Sequence, residues 1–162
     1  MTEHFIAYLE SENHVLKIES DRQVIKVIRF VKEVGQASDF QPELIKRAIH
    51  QLNGFFEGSL KNFNLPLAPE GTDFQKKVWQ LLCTIPYGKT RTYAEIARQL
   101  GDPKVIRAAA SANGKNPITI MIPCHRVIGT NGSLTGYAGG LENKRLLLAL
   151  ENRIANGVFE LF

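Results

Sequence analysis

The spacing of apolar residues changes partway along this 162-residue chain, and that change limits the folds open to it. Phe5-Ile6-Ala7-Tyr8-Leu9, Val15-Leu16-Lys17-Ile18 and Val24-Ile25-Lys26-Val27-Ile28 are short, rich in β-branched and aromatic residues, and separated by polar stretches such as Ser11-Glu12-Asn13. Runs of that length and spacing predict an antiparallel β-meander. From Pro42 the period becomes helical. Leu44, Ile45, Ala48, Ile49, Leu52, Phe55 and Phe56 share one helical face between Pro42 at the start and Gly58 just past the end. The segment from Asn62 to Thr72 holds Pro66, Pro69 and Gly71 and has the composition of a connector. Together these features predict a small α/β domain over residues 1–68 and a second domain over residues 69–162.

The second domain reads as helices around one irregular stretch. Phe74 to Leu82 is amphipathic and ends before the turn Pro86-Tyr87-Gly88. Thr92 with Glu95 three residues on predicts a capping box for a helix reaching Leu100. Gly101-Asp102-Pro103 breaks that helix, and Lys104 to Ala112 forms the next. Two short helices about a glycine-containing turn make a helix-turn-helix, a pattern common also in proteins that never touch DNA. Gly129 to Gly140 contains five glycines around Tyr137 and reads as a loop. A last helix, Leu141 to Asn152, turns Leu146, Leu147 and Leu150 inward and carries Glu151 near its end.

An apolar fraction of 44% suits a chain that folds on its own core. Cys83 and Cys124 allow at most one disulfide, and the lack of any CxxC or clustered Cys/His spacing predicts no metal site. No basic N-terminal region precedes an apolar run, and no apolar segment approaches a membrane span, so a cytoplasmic protein without membrane contact is expected. Residues 1–66 carry 8 Lys+Arg against 9 Asp+Glu, whereas residues 67–162 carry 12 against 7. The second part is therefore the basic one, which is compatible with a polyanionic partner.

Cys124 stands beside His125 in the otherwise apolar Ile122-Pro123-Cys124-His125-Arg126-Val127-Ile128-Gly129. A free thiol is only about one-thirtieth thiolate at neutral pH, so chemistry at sulfur requires a neighbouring base or cation, and His125 is placed to be that base. Taken alone, Cys124 would read as a small buried hydrophobe. Cys83, after Leu81-Leu82 on an amphipathic face, keeps that structural reading, and Trp79 reads as core. Lys76, Lys77, Lys104, Lys115 and Arg126 suit either phosphate contacts or a solvated face.

Pro123-Cys124-His125-Arg126-Val127, preceded by Asn116-Pro117 and followed by Gly136-Tyr137-Ala138-Gly139-Gly140, resembles the signature of the O6-alkylguanine-DNA alkyltransferases, or methylated-DNA–protein-cysteine methyltransferases. The likeness is close from about Gly71 to Glu151, and Phe55-Phe56-Glu57-Gly58 to Leu65-Pro66-Leu67 is similar to the end of the family's N-terminal domain. The resemblance implies an RNase H-like N-terminal antiparallel sheet with helices, and a helical, winged-helix-like C-terminal DNA-binding domain. It implies that Cys124 accepts the alkyl group, that His125 activates it through a bound water, that Glu151 orients His125, and that Asn116 ties the Pro117 turn to the active-site segment. Such a relay follows the logic of a carboxylate, imidazole and nucleophile in line.

The same resemblance places Tyr93 and Arg107 in the two helices as the pair that remodels DNA. The O6 of guanine is enclosed in a duplex, so the nucleotide must be flipped out. Arg107 would fill the vacancy, and Tyr93 would push the 3′ phosphate, bond the flipped base and protonate it as it leaves. The second helix would lie in the minor groove, where the small Ala108, Ala109, Ala110 and Ala112 permit close approach. Tyr137 and Ala138 would wall the base pocket, with the Ala138 amide near O6 and the carbonyls of Cys124 and Val127 reading the guanine amino group. The implied activity is single-turnover repair of O6-alkylguanine, and of O4-alkylthymine, in double-stranded DNA by a monomer without cofactors, with cooperative binding along DNA left open.

Three other readings compete: a lesion-binding protein that signals to other repair factors, a helix-turn-helix regulator with Cys124 as sensor, and a cysteine hydrolase. Non-enzymatic relatives carry tryptophan at the acceptor position, so Cys124 argues against the first. Some members bind zinc through N-terminal cysteines and histidines. This chain has no cysteine before position 83, so that site is absent or differently built.

Overall fold

The computed structural model describes residues 3–158 and divides into two compact units. One runs to Glu70 and includes Pro117–Thr119; the other comprises Gly71–Asn116 and the residues from Ile120 onward. The outermost residues of the two predicted domains, 1–2 and 159–162, lie outside the described residues.

In the first unit β1 (Phe5–Glu10), β2 (Val15–Ser20) and β3 (Ile25–Val31) form an antiparallel sheet in that order. Phe5 pairs with Ser20 and Glu10 with Val15; Val15 pairs with Val31 and Ile18 with Ile28, with a slip at Glu19 and Ser20. Alternation explains the faces: Leu16, Ile18 and Ser20 are buried while Lys17 and Glu19 are not. Backbone pairing carries β2 and β3 past the last apolar residue of each predicted run. The helix α1 (Glu43–Glu57) lies against β2 and buries Leu44, Ile45, Ala48, Leu52 and Phe55, with Ile49 and Phe56 half-buried at the margins of the stripe. Gly58, at φ 82°, ends it in the left-handed conformation that glycine adopts without strain. α1 is the only helix of this unit among the described residues.

Both sheet edges are used, which removes a hazard of exposed strand backbone. On β1, Ile6 N–H donates to Ser38 Oγ at 2.9 Å, and Ile6 O accepts from Ser38 N–H and Gln41 Nε2. On β3, Ile25 bonds to Pro66 and Ala68, and Ile28 N–H donates to Pro117 O at 2.9 Å while its carbonyl accepts from Thr119 N–H at 2.8 Å. The proline-rich connector and the three residues after Asn116 thus complete the sheet as isolated parallel bridges.

The second unit opens with α2 (Asp73–Leu82), which carries a complete capping box: Thr72 Oγ1 accepts from Gln75 N–H and Gln75 Oε1 accepts from Thr72 N–H. The box predicted at Thr92 is only half made. Thr92 Oγ1 accepts from Glu95 N–H, but the Glu95 carboxylate takes the Thr92 hydroxyl instead of its backbone. β4 (Arg91–Thr92) leads into α3 (Tyr93–Gln99), a 3-10 turn follows at Pro103–Val105, and α4 (Ile106–Gly114) completes the helix-turn-helix. The start predicted at Lys104 is this 3-10 turn, capped by the Asp102 side chain. Trp79 is core as expected, its Nε1 donating to Ala112 O at 2.8 Å. β5 (Val127–Ile128) pairs in parallel with β4, and α5 (Leu141–Asn156) runs one turn past its predicted end, to Gly157 at φ 68°. Its buried leucines are Leu147, Leu148 and Leu150; Leu146 is half-buried. Cys83 departs from expectation, because it caps α2 at an exposed position. Among the described residues no helix is long and apolar enough to cross a membrane.

Candidate active site

Cys124 and His125 sit in one 3-10 turn, Cys124–Arg126, between Pro123 and β5. The parallel pairing of β5 with β4 matches Val127 to Arg91 and Ile128 to Thr92, so the turn ends beside the N-terminus of α3 and Tyr93 arrives next to it. The segment before the turn is strained. Ile120 has φ 72°, which a β-branched residue adopts at an energetic cost of about 1–3 kcal/mol, so neighbouring structure must impose it. Asn116 is part of that structure: its Nδ2 donates to Ile122 O at 2.8 Å, bracing the run into Cys124.

Residues Met121 to Val127 are all buried, and Cys124 is 5% exposed. His125 Nε2 lies 2.5 Å from Glu151 Oε2. Arg126, read from sequence as a surface cation, is instead buried against the same carboxylate: Nε donates to Oε1 at 2.8 Å and Nη2 to Oε2 at 2.9 Å. Its Nη1 donates to Ile85 O at 2.8 Å, and its guanidinium carbon is 5.6 Å from the centre of the Tyr87 ring. Gly88 N–H adds a contact to Glu151 Oε1 at 3.1 Å. Only glycine fits there, since φ is 77° and a Cβ would lie 2.4 Å from that of Ala155. Burial pushes the Glu151 carboxyl upward, but the bonds and charges of His125 and Arg126 outweigh it and hold the group at about 2. Burial also lowers the His125 imidazole below its usual range; Glu151 opposes that, while Arg126 and Lys144 reinforce it. An ionised carboxylate only accepts, so Nε2 carries the hydrogen and Nδ1 is the nitrogen able to take a proton.

Three participants escaped the sequence reading. Lys144 on α5 is fully buried, its Nζ donating to Val127 O at 2.6 Å and Thr135 O at 3.0 Å. Burial brings its ammonium down to about 8, against the pull of nearby Cys124. Asn113 on α4 donates from Nδ2 to Cys124 O at 3.3 Å and to the Tyr93 hydroxyl at 3.4 Å. Arg126 is the third. A signal existed for Lys144, which shares a helical stripe with Leu148 and Glu151 at i+4 and i+7. Tyr93 Oη donates to Thr135 O at 3.3 Å, and burial raises its hydroxyl, keeping it a proton donor.

The Cys124 carbonyl accepts from Asn113 Nδ2 and from the Val127 backbone N–H, and the Val127 carbonyl accepts from Lys144 Nζ. Tyr137 is buried and Ala138 exposed. On the helix-turn-helix, Lys104, Arg107, Ala108 and Lys115 are exposed, as are Lys76 and Lys77 on α2. Ala109 and Ala112 depart from the predicted groove-facing set. At 1% and 2% exposure, their methyl groups pack into the core, while Arg107 and Ala108 stay exposed on α4. Among the described residues no group of three or more His, Cys, Asp or Glu could hold a metal ion.

A buried thiol adjoins an imidazole that a buried carboxylate holds, Asn113 joins the Cys124 carbonyl to the Tyr93 hydroxyl, and Arg107 is exposed on α4. Residues 73–153 match the family model for the DNA-binding domain of 6-O-methylguanine DNA methyltransferase. The chain is 48% identical over 152 residues to a methylated-DNA–protein-cysteine methyltransferase of Methanosarcina acetivorans, covering 91% of this chain and 97% of that one. The crystal structure of the O6-methylguanine methyltransferase of Mycobacterium tuberculosis superposes with a TM-score of 0.85 at 41% identity, over 96% of this chain and 97% of that one. The Mycobacterium tuberculosis protein in complex with DNA gives 0.82 at 44% identity, over 91% and 92%.

Proposed function

This chain belongs to the methylated-DNA–protein-cysteine methyltransferase family, and on that premise we propose which of its residues carry out the transfer. The protein repairs O6-alkylguanine in DNA directly, moving the alkyl group irreversibly to one of its own cysteines. Cys124 is the acceptor in this reading. The observation that carries it is the buried Cys124 next to His125 in one turn, with the Glu151 carboxylate 2.5 Å from that imidazole.

His125 Nδ1 takes the thiol proton, directly or through one water, while Nε2–H stays on Glu151. The thiolate attacks the alkyl carbon in line; the S–C bond forms, the C–O6 bond breaks, and guanine leaves with the electron pair. Tyr93 protonates the departing base, and the proton taken up by His125 returns through solvent to restore the tyrosine hydroxyl. The product is a thioether. It offers water no electrophilic carbonyl, so the thiol is not regenerated and each molecule acts once. O4-alkylthymine presents the same alkyl–oxygen bond and is a second substrate of this mechanism.

Asn116 and Asn113 brace the active-site turn, and Val127, Tyr137 and Ala138 line the base pocket. Arg107 enters the stack in place of the flipped nucleotide as α4 lies in the minor groove on its Ala108 face, with Lys104 and Lys115 on phosphates. Residues 69–162 supply this chemistry as a winged-helix-like domain, and residues 1–68 form an RNase H-like domain. The protein acts as a cytoplasmic monomer without a cofactor. Replacing each cysteine with serine tests the acceptor: Cys124→Ser abolishes transfer from O6-methylguanine DNA and Cys83→Ser leaves it intact. Transfer surviving Cys124→Ser would refute the reading.

A further inference from the structure

Arg126 has no part in the steps above, yet it is buried and commits all three guanidinium nitrogens to one arrangement. Two of them grip both oxygens of Glu151, and the third holds the Ile85 carbonyl at the start of the turn whose Gly88 amide also reaches Glu151. Burying a guanidinium is unfavourable unless it is paired and fully bonded, and an apolar side chain of similar size would serve packing at least as well. The carboxylate it grips is the one that holds His125.

We propose that Arg126 is a positioning residue for the transfer: by sharing Glu151 with His125, it limits how tightly the imidazole holds the proton taken from Cys124. The inference rests on the reading of Cys124 as acceptor and His125 as its base. A carboxylate facing an imidazole alone would favour imidazolium strongly. Here its charge is already met by a bidentate cation, and an imidazolium would also face that guanidinium. The charged and titratable groups around His125 and its partners are Cys124 and Arg126 on its own turn, Glu151 and Lys144 on α5, Tyr93 on α3 next to Cys124, and Cys83 at the end of α2 and Tyr87 on the Pro86 turn, both beyond Arg126. Mass balance gives the arrangement a purpose. The proton that Cys124 loses equals the one the departing guanine gains, so His125 must release what it accepts, and a base that held it too firmly would stall.

The test uses the full-length protein as wild type, Arg126→Lys and Arg126→Gln. Nitrogen-detected NMR titration of His125 and the pH dependence of Cys124 alkylation by free O6-benzylguanine are measured on each. The His125 midpoint is expected to rise by about one pH unit or more in Arg126→Gln, with Arg126→Lys between it and wild type, and the acid limb of the alkylation profile to move the same way. Removal of a cation raises both the thiol and the imidazole, so the direction holds whichever of them carries the proton. Should Arg126→Gln fail to fold, the rise in Arg126→Lys decides alone. An unchanged His125 midpoint, with alkylation slowed equally at every pH, would reduce Arg126 to a structural brace and overturn the proposal. Failure of the acceptor reading looks different: Cys124 would gain no methyl group from O6-methylguanine DNA, whatever the order of the imidazole midpoints.

Discussion

The two units of this protein bury different kinds of side chain. Among the described residues, the first encloses Leu16, Ile18, Ile25, Ile28, Ile45, Leu52 and Phe55 and buries no Lys, Arg, Asp or Glu, whereas the second buries His125, Arg126, Lys144 and Glu151 in one neighbourhood. An apolar core draws its stability from area removed from water and is indifferent to protonation. A buried ionic network is different: it contributes little net stability when intact, yet is strongly destabilising when one partner is lost. The first unit is therefore built for tolerance and the second for a defined charge state around one sulfur.

The largest expected effect breaks the second unit. Glu151→Gln strands the Arg126 cation and should cost about 3–5 kcal/mol in denaturant unfolding, together with most of the transfer activity. Wild type carries the corresponding acid sensitivity. Because the Glu151 carboxyl is depressed from 4.5 to about 2, its stabilisation is present above pH 4.5 and is lost as pH falls towards 2. Unfolding midpoints measured across that window should slope in wild type and flatten in the variant.

Leu52→Ala tests the other half of the comparison. It should cost about 2–5 kcal/mol, with the transfer rate per folded molecule unchanged. A drop in rate matching the drop in stability would show that the two units are not separable in this sense. Arg107→Ala comes next. It should slow repair of duplex DNA by on the order of tenfold to a hundredfold, the worth of a few kcal/mol of unstacking, and spare reaction with free O6-benzylguanine. Equal effects on both substrates would remove Arg107 from the flipping step.

The smallest effect sharpens the contrast from within the first unit. His14 is half-buried, tilted on Phe56 at 4.5 Å and edge-on to Phe30 at 5.7 Å, and burial lowers its pKa from 6.5. Its neutral form is the packed one, so its contribution is present above pH 6.5 and fades as pH falls below that value. His14→Phe should remove a shallow stability slope on the acid side of pH 6.5. If the slope persists, it belongs to another group.

What was legible in the sequence follows the same divide. The α1 stripe from Leu44 to Phe55 and the three strands announce themselves, because apolar periodicity is a direct record of burial. Cys124 beside His125 is legible as a thiol next to a base, whereas Glu151 and Asn116 join them only through the resemblance of the surrounding motif to the alkyltransferase signature. Arg126 and Lys144 are not legible, because charged side chains are rarely buried unless paired, and their partners are a carboxylate 25 residues away and the carbonyls of Val127 and Thr135. Ala108 and Ala109 look alike in sequence, since a methyl group suits either face of a helix. Only the packing of α4 separates them. The left-handed backbone of Ile120 has no sequence signal at all, being imposed by what surrounds it.

In the proposed mechanism Cys124 is a reagent consumed by its own product. Incubating the protein with excess duplex DNA containing O6-methylguanine, followed by mass analysis of the peptide that holds Cys124, tests it most directly. One methyl group on Cys124, none on Cys83, and repaired guanine that stops accumulating at one equivalent per protein are the expected outcome. Repair continuing past one equivalent, or a methylated peptide lacking Cys124, would contradict it.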